Sequence, residues 1–370
     1  MFADRVKNIT ASGIRKVFDL AAKMQNPVNF SIGQPDFDVP EPVKEAAIQA
    51  IQQGLNKYTM TQGISILREK VKEELQKTKN ITPEGLMITS GTSGALLLAM
   101  MVLVNPGDEV LLPDPYFVMY KHLLSLAGGI PQYYSLYPDF EVNVKELEEK
   151  ITEKTKIIIL NSPSNPTGTV LSKEKLVEIA GIAKKHNLIV ISDEIYEAFI
   201  YEGKHHSIAS YYPKTIILSG FSKTYGMPGW RMGYAAGPYE IIEKMSTLQQ
   251  FSFVCAPTPA QYACVKAFDV DLTPYIQRYK AKRDKIYQGL VDLGFKVIKP
   301  KGSFYIFPEA PWGTGQTFCE AAISQEVLVI PGNAFSSRDT HFRISFTTKE
   351  EDIDRGLSLL SKVLHPSPKQ

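Results

Sequence analysis

Between residues 85 and 240 the chain alternates short apolar runs with longer stretches whose apolar residues recur at helical spacing. The apolar runs cover residues 110–112, 157–160, 188–191 and 216–218. Runs of this kind suit strands that are buried on both faces, and parallel strands require crossover helices between them. The pattern predicts an α/β fold whose larger domain is built on a mainly parallel sheet.

Polar residues follow each of these runs at the point where the predicted strand ends. The first run precedes Asp114 and Phe117, the second precedes residues 161–168, the third precedes Asp193, and the fourth precedes Lys223. In an open α/β sheet, ligands bind outside the carboxyl ends of the strands. We therefore expect these four groups to surround one site.

The two ends of the chain follow a different pattern. An amphipathic pattern over residues 273–293 predicts a connecting helix, and short strand candidates follow at 304–307, 327–330 and 342–346. We expect a large domain over residues 41–274 and a smaller α+β domain built from residues 1–40 and 275–370.

Charge and cysteine content narrow the class of partner. The chain has 370 residues, with 41 basic and 39 acidic side chains for a net charge of +2, so it has no electrostatic signature for nucleic acid or membrane surfaces. A small-molecule partner is expected. The three cysteines form no CxxC pair or zinc-ligand spacing, and the sequence has no signal-peptide pattern or apolar run of about 20 residues. We expect a cytoplasmic protein with free thiols and no bound metal.

Lys223 follows the last apolar run and precedes Arg231 by eight positions. An amine held in a partly desolvated pocket near another cation loses its proton more easily, and a neutral amine can condense with an aldehyde. Taken alone, Lys223 is more easily explained as a surface lysine. Other residues, however, match the remaining needs of an aldehyde cofactor, pyridoxal phosphate.

The pyridine ring of that cofactor acts as an electron sink when its nitrogen stays protonated, which a buried carboxylate favours. Asp193 is the candidate, although an aspartate after a strand is also a common helix N-cap. Tyr196 and the amide of Asn165 are candidates to donate hydrogen bonds to the phenolic oxygen of the ring. Phe117 is the candidate to stack on the ring, the alternative being a core residue.

Residues 89–100 predict a phosphate site, because a small, hydroxyl-rich turn at Gly91 precedes a run of strong helix formers. The exposed amides of a helix N-terminus bind anions. The turn lacks the Gly-Lys-Ser/Thr of a nucleotide-binding P-loop. The candidate phosphate ligands are Thr92, Ser93, Ser222 and Arg231.

A substrate carboxylate requires a donor of another kind. Arg343 lies inside an apolar run, where its charge is costly unless an anion pairs with it. Arg343 is therefore a candidate for binding the carboxylate of an amino acid, with a structural salt bridge as the alternative. Gly33 would allow the backbone to approach the same carboxylate.

Eight short motifs in sequence order now identify a resemblance that spans nearly the whole chain. They are Gly33-Gln34-Pro35-Asp36-Phe37, Tyr58-Thr59-x-x-x-Gly63, Pro106-Gly107-Asp108-Glu109, Asn161-x-Pro-x-Asn165-Pro166-Thr167-Gly168, Ser192-Asp193-Glu194-x-Tyr196, Ser222-Lys223 with Gly229-Trp230-Arg231-x-Gly233, Gly302-x-Phe304-Tyr305, and Arg343-Ile344-Ser345. The chain resembles the class I/II aminotransferases of fold type I, which depend on pyridoxal phosphate.

The resemblance implies an enzyme that moves the amino group of an L-amino acid to a 2-oxo acid, with 2-oxoglutarate as the expected acceptor, in a two-stage cycle. It also implies that Lys223 is both the covalent anchor of the cofactor and the proton carrier, that Asp193 pairs with the ring nitrogen, and that Arg343 with Asn165 binds the substrate carboxylate. Tyr58 resembles the tyrosine that reaches the phosphate in the neighbouring subunit, so a homodimer is expected.

The chain departs from the family pattern at two of these positions. Many members have a serine where this chain has Gly220, so Ser222 or backbone groups must take over its role. Some members have tryptophan or tyrosine in place of Phe117, which keeps the stacking surface without a polar group.

Two other functions are compatible with parts of this pattern. A C–S β-lyase of the same fold uses the same cofactor, and a non-catalytic regulatory module could retain the domain. The amino donor also stays open between acidic, aromatic and broad-range substrates. A second substrate carboxylate would need another cation, for which Arg15, Lys16 or a residue contributed by the partner subunit are candidates.

Overall fold

Seven strands form the main sheet of the computed structural model, which describes residues 2–7, 9, 17 and 24–364. In order across the sheet, the strands are β2 (Gly85–Ser90), β8 (Met232–Gly237), β7 (Thr215–Gly220), β6 (Ile189–Asp193), β5 (Thr155–Asn161), β3 (Glu109–Asp114) and β4 (Ile130–Ser135). β8 runs antiparallel to both of its neighbours, and the other neighbouring pairs are parallel. The predicted α/β fold with a mainly parallel sheet is confirmed.

The four predicted apolar runs lie in β3, β5, β6 and β7, and every residue of β3 and β7 is buried. Helices cover both faces of the sheet, as a parallel sheet requires. The carboxyl ends of β5, β6 and β7 are adjacent, because these strands pair in parallel. The polar residues that follow them are therefore brought to one edge.

The helices of the described residues are Asp4–Lys7, Glu41–Gln52, Ser65–Lys79, Gly91–Leu103, Met119–Ala127, Val144–Glu149, Lys173–Lys185, Phe221–Thr224, Tyr239–Gln250, Thr258–Ala267, Thr273–Asp292, Gly315–Ser324 and Glu350–Ser361. Single 3₁₀ turns lie at Ile208–Ser210, Pro228–Trp230 and Gly332–Ala334. The predicted helix at 273–293 is found as Thr273–Asp292, where Pro274 occupies the first turn. None of these helices is long and apolar enough to span a bilayer.

Residues from the two ends of the chain meet in smaller sheets. β1 (Val28–Asn29) pairs in parallel with β10 (Val327–Leu328). β11 (Ile330–Pro331), β12 (Phe342–Ser345) and β9 (Tyr305–Ile306) form an antiparallel sheet in that order. The strand expected at 327–330 is thus two short strands in different sheets. The domain division at residues 40 and 274 stays a prediction, and residue 274 lies inside a helix.

Candidate active site

A cavity of about 220 Å³ lies at the carboxyl ends of β5, β6 and β7, where segments from both chain ends cover the sheet edge. Its walls include eleven residues predicted from the sequence, which are Gly33, Thr92, Ser93, Phe117, Asn165, Asp193, Tyr196, Ser222, Lys223, Arg231 and Arg343. Tyr58 does not line the cavity of a single chain, and 85% of its surface is exposed.

Lys223 lies in the short helix Phe221–Thr224, directly after β7. Its Nζ donates a hydrogen bond of 2.7 Å to the backbone oxygen of Gly33. Burial lowers the pKa of Lys223 to about 8, and the positive charges of Arg343 and Arg231 add to this shift, whereas Asp193 opposes it. About a tenth of the amine is therefore neutral and nucleophilic at pH 7, far more than for an ordinary exposed lysine.

Asp193 ends β6 and is buried. Its Oδ2 accepts a hydrogen bond of 2.7 Å from the Tyr120 hydroxyl, and its Oδ1 accepts one of 3.3 Å from the Ile195 amide. Burial raises the pKa of Asp193 to about 6, the Tyr120 bond opposes the shift, and the charge of Glu194 adds to it. A nearby cation would keep this carboxylate ionised.

Asn165 connects the cofactor side of the cavity to the substrate side. Its backbone N–H donates to Oδ1 of Asn161 at 2.8 Å, and Nδ2 of Asn161 donates to the backbone carbonyl of Asp193 at 3.1 Å. The Oδ1 of Asn165 accepts from Nη1 of Arg343 at 3.0 Å. This orientation leaves the side-chain amide group of Asn165 as the donor for a ligand.

Arg343 lies on β12 and is 2% exposed. Its Nη2 donates to the Ser31 carbonyl at 2.7 Å, and its guanidinium lies 4.5 Å from the ring centre of Tyr305 and 4.7 Å from that of Phe335. Its Nε has no hydrogen-bond partner. Among the described residues, no carboxylate forms a salt bridge with Arg343, so a buried charge with donor capacity faces the cavity.

Tyr196 and Tyr305 form a hydroxyl pair at the cavity wall, with 3.0 Å between the two oxygens. The Tyr305 hydroxyl also lies 3.5 Å from the Gly33 carbonyl. A Cβ atom at Gly33 would lie 2.0 Å from that hydroxyl, so a side chain at this position would displace Tyr305. The close approach of the backbone here requires glycine.

The helix Gly91–Leu103 begins at the cavity, with Gly91 at a φ of +67°. A Cβ atom at Gly91 would lie 2.4 Å from Nη2 of Arg231, so glycine lets the guanidinium rest against the helix N-terminus. Ser93 and Ser222 line the same cavity. The combined donors and positive charge suit a phosphate group.

Gly220 is the position where many of the aminotransferases that the chain resembles have a serine. A Cβ atom there would lie 2.7 Å from Cα of Gly233 and 2.8 Å from the Met232 carbonyl, so β7 and β8 leave no room for a side chain. Thr92 donates its hydroxyl to the Ser219 carbonyl at 3.1 Å. Thr92 therefore joins the helix N-terminus to the end of β7.

Tyr120 and Tyr305 were not singled out from the sequence. Tyr120 lies in an apolar helix and is indistinguishable there from a core aromatic residue, because its partner Asp193 is 73 positions away. Tyr305 belongs to the motif Gly302-x-Phe304-Tyr305, but nothing in its local sequence indicates a role in binding or catalysis. A fully buried tyrosine needs a hydrogen-bond partner, yet the sequence does not show which residues are buried.

An ionised carboxylate, a lysine amine with a lowered pKa, and a helix N-terminus with an arginine line one cavity. These groups match the ring nitrogen, aldehyde and phosphate of pyridoxal phosphate, so the residues present fit the cofactor. Together with the sheet, they define a fold type I enzyme dependent on this cofactor.

The model of the family described as aminotransferase class I and II matches residues 25–360. The chain is 40% identical to a probable aspartate aminotransferase of Methanocaldococcus jannaschii, over 98% of this chain and 100% of that protein. It is 39% identical to the aromatic-amino-acid aminotransferase 2 of Thermococcus litoralis, over 98% of both chains. The structure of the aspartate aminotransferase from Thermus thermophilus with maleate superposes with a TM-score of 0.96 at 34% identity, over 98% of this chain and 100% of that one.

The chain belongs to the class I and II aminotransferase family. It is a pyridoxal-phosphate-dependent enzyme of amino-group transfer, and the names of its relatives favour this activity over the β-lyase alternative.

Proposed function

We propose that Lys223 anchors the cofactor covalently and moves the proton during transfer from an L-amino acid to a 2-oxo acid. When bound, pyridoxal phosphate supplies an aldehyde that condenses with amines and a ring that accepts electrons from the substrate α-carbon. The single observation that carries this proposal is the amine of Lys223, whose pKa lies at about 8 within a cavity that also holds Asp193 and Arg343.

Asp193 holds the proton on the ring nitrogen, because an ion pair between the two is favoured in a buried site. Asn165 and Tyr196 donate hydrogen bonds to the phenolic oxygen, and Phe117 stacks on the ring. The phosphate is bound by Thr92, Ser93, Ser222 and Arg231 at the start of the helix Gly91–Leu103. These assignments follow from the donor set and from the shared cavity.

The substrate carboxylate binds Arg343 and Asn165, with the backbone at Gly33 beside it. The unpaired Nε of Arg343 and the absence of a salt bridge among the described residues support this assignment. With the cofactor and an amino acid bound, the Nζ of Lys223 would be the group that takes a proton from the substrate α-carbon.

The functional unit is a homodimer in which Tyr58 contributes to the neighbouring subunit's site. Tyr58 is exposed, yet its loop is held in place by a 2.7 Å bond from Thr258 to the Lys57 carbonyl and a 3.0 Å bond from Gln261 to Thr59. Light scattering would report the dimer mass. Loss of phosphate affinity in Tyr58→Phe would support the shared site, and an active monomer would refute it.

The amino donor belongs to the aspartate and aromatic range of the relatives, and 2-oxoglutarate is the acceptor. In the described part of the chain, the cations lining the cavity are Lys223, Arg231 and Arg343, each of which already has a role. A second substrate carboxylate would need a further cation, and the candidates Arg15 and Lys16 lie outside the described residues. A panel of amino donors, read by the loss of bound-cofactor absorbance, ranks the substrates.

The enzyme acts in the cytoplasm. Its three cysteines, Cys255, Cys264 and Cys319, are free, and the last two are buried, which suits a reducing compartment. Cell fractionation tests this location.

The central experiment replaces Lys223 with alanine. We expect amino-group transfer to fall by a factor on the order of 10⁴ or more, because covalent anchoring and proton transfer are lost together. Lys121→Ala, at a second lysine that is partly buried, serves as the matched control and should retain activity. Transfer that persisted in Lys223→Ala would refute the proposal.

A further inference from the structure

A largely buried group of charged residues surrounds Glu194, the residue that follows Asp193 in the sequence. We call it the Glu194 cluster, and it consists of Lys79, Glu194, Glu197 and His205. The exposed fractions of these side chains are 5%, 1%, 23% and 9%. None of them lines the cofactor cavity.

The carboxylate of Glu194 is fully satisfied by its neighbours. Its Oε1 accepts hydrogen bonds from Ser192 at 2.8 Å and from Ser207 at 2.5 Å. Its Oε2 contacts Nζ of Lys79 at 2.7 Å and Nε2 of His205 at 3.0 Å. A buried carboxylate with four such partners stays ionised.

Lys79 is the cation that this group shares. Its Nζ contacts carboxylate oxygens of both Glu194 and Glu197. The ligand-type atoms of Glu194, Glu197 and His205 lie within 4.8 Å of one another, which is a spacing that a metal ion could use. The ammonium group of Lys79 supplies the positive charge there instead.

The cluster is connected to the strand ends that carry the catalytic groups. The Glu194 amide donates to the Leu218 carbonyl on β7 at 2.8 Å. Ser219 on β7 donates its hydroxyl to Glu197 at 2.7 Å. The end of β6, which carries Asp193, and the end of β7, which precedes Lys223, are therefore joined through these residues.

The adjacent charge of Glu194 matters for Asp193. Two neighbouring carboxylates in a buried site disfavour each other's ionised form. Glu194 raises the pKa of Asp193, so an uncompensated Glu194 would favour a neutral Asp193. A neutral Asp193 could not form an ion pair with the ring nitrogen.

We propose that Lys79 is an internal counter-cation that offsets the charge of Glu194 and so keeps Asp193 ionised toward the cofactor ring. Lys79 is a positioning residue, since it touches neither cofactor nor substrate. The proposal depends on the role given above to Asp193.

Other ionisable groups also face these carboxylates and enter the expected pH dependence. Tyr120, Tyr196 and Lys223 act on Asp193, as the bonds and charges around it indicate. Tyr234 and Lys79 face Glu197, and His205 faces Glu194. Substitutions at Lys79 and Glu194 leave Tyr120, Tyr196 and Lys223 in place around Asp193.

The test measures binding of pyridoxamine 5′-phosphate to the apoenzyme between pH 5 and 9. This probe has no aldehyde, so its dissociation constant avoids the pH dependence of condensation with Lys223. Affinity should fall on acidification as Asp193 takes up a proton. In Lys79→Met we expect the midpoint of that fall to move up by about half a pH unit or more.

Glu194→Gln provides the decisive second variant, because it removes the negative charge and should move the midpoint downward. A merely structural role would weaken binding in both variants without opposite shifts. Lys79→Arg should preserve the midpoint, and Lys77→Met, at an exposed lysine in the same helical turn, is the matched control.

The outcomes separate the two proposals. If Asp193→Asn leaves the acid-side fall in affinity unchanged, the role of Asp193 is refuted. If Asp193→Asn removes that fall but the Lys79 and Glu194 variants leave its midpoint in place, the counter-cation proposal alone is refuted. If Lys79→Met fails to fold, the direction of the Glu194→Gln shift decides the question.

Discussion

The cavity has two walls of different origin. One wall, which we call the sheet wall, consists of Asn165, Asp193 and Lys223, which follow strands of the main sheet. The other, the terminal wall, consists of Gly33, Tyr305 and Arg343 from segments near the two chain ends. The sheet wall presents groups suited to the cofactor, whereas the terminal wall presents a cation and a backbone suited to a carboxylate.

The two walls differ in how their side chains are held. Asp193 and Asn165 are fixed by bonds to the neighbouring strand ends and to Tyr120. Arg343 is fixed by Asn165 and by the Ser31 carbonyl, which lies 312 positions earlier in the sequence. Substitutions in the sheet wall should therefore weaken cofactor binding, whereas substitutions in the terminal wall should weaken substrate binding.

The largest effect is expected at the sheet wall. Asp193→Asn removes the charge that stabilises a protonated ring nitrogen while keeping the side-chain shape. We expect amino-group transfer to fall by about 10³-fold, together with weaker cofactor affinity. Single-turnover kinetics and cofactor titration measure the two effects. A variant with normal transfer would show that the ring nitrogen needs no carboxylate in this enzyme.

At the terminal wall, Arg343→Lys should lower kcat/KM for the amino donor by about 10²-fold, because the ammonium group cannot form the paired bonds of a guanidinium. Cofactor affinity should stay within a few-fold of the parent. Steady-state kinetics combined with cofactor titration provide the comparison. Equal losses in both measurements would contradict a separation between the walls.

The sequence indicated the sheet wall because each of its residues lies within five positions of the end of an apolar run. Parallel strands bring such positions together, and Asp193 and Lys223 lie at the ends of adjacent strands as expected. The predicted strand at 327–330 was less accurate, since Val327–Leu328 and Ile330–Pro331 belong to different sheets. Chain reversals over so few residues leave no periodic signal.

The partners around the site could not be found in this way. Lys79 has the appearance of a surface lysine at a helix end, and Tyr120 that of a core residue. Their contacts with Glu194 and Asp193 span 115 and 73 positions of sequence. Residue type and local spacing carry no information about such contacts, which depend on the completed fold.

A smaller effect is expected at the hydroxyl pair between the walls. Tyr305→Phe leaves Tyr196 without its partner and removes the contact with Gly33. We expect a loss of about 1 kcal/mol in transition-state stabilisation, or about 5-fold in kcat/KM. Tyr201→Phe, at a buried tyrosine outside the cavity, is the control for stability. A loss shared by both variants would indicate a folding effect.

The smallest effect tests coupling between the walls. Arg343 lowers the pKa of Lys223, which is about 8, so Arg343→Met should raise it and Arg343→Lys should change it less. Capture of pyridoxal phosphate requires the neutral amine, so its rate rises with pH through this pKa. Arg343→Met should therefore capture the cofactor about 3-fold more slowly at pH 7.5 and approach the parent rate at high pH. Stopped-flow absorbance measures the rate. If the pH profiles of both variants matched that of the parent enzyme, the two walls would act independently.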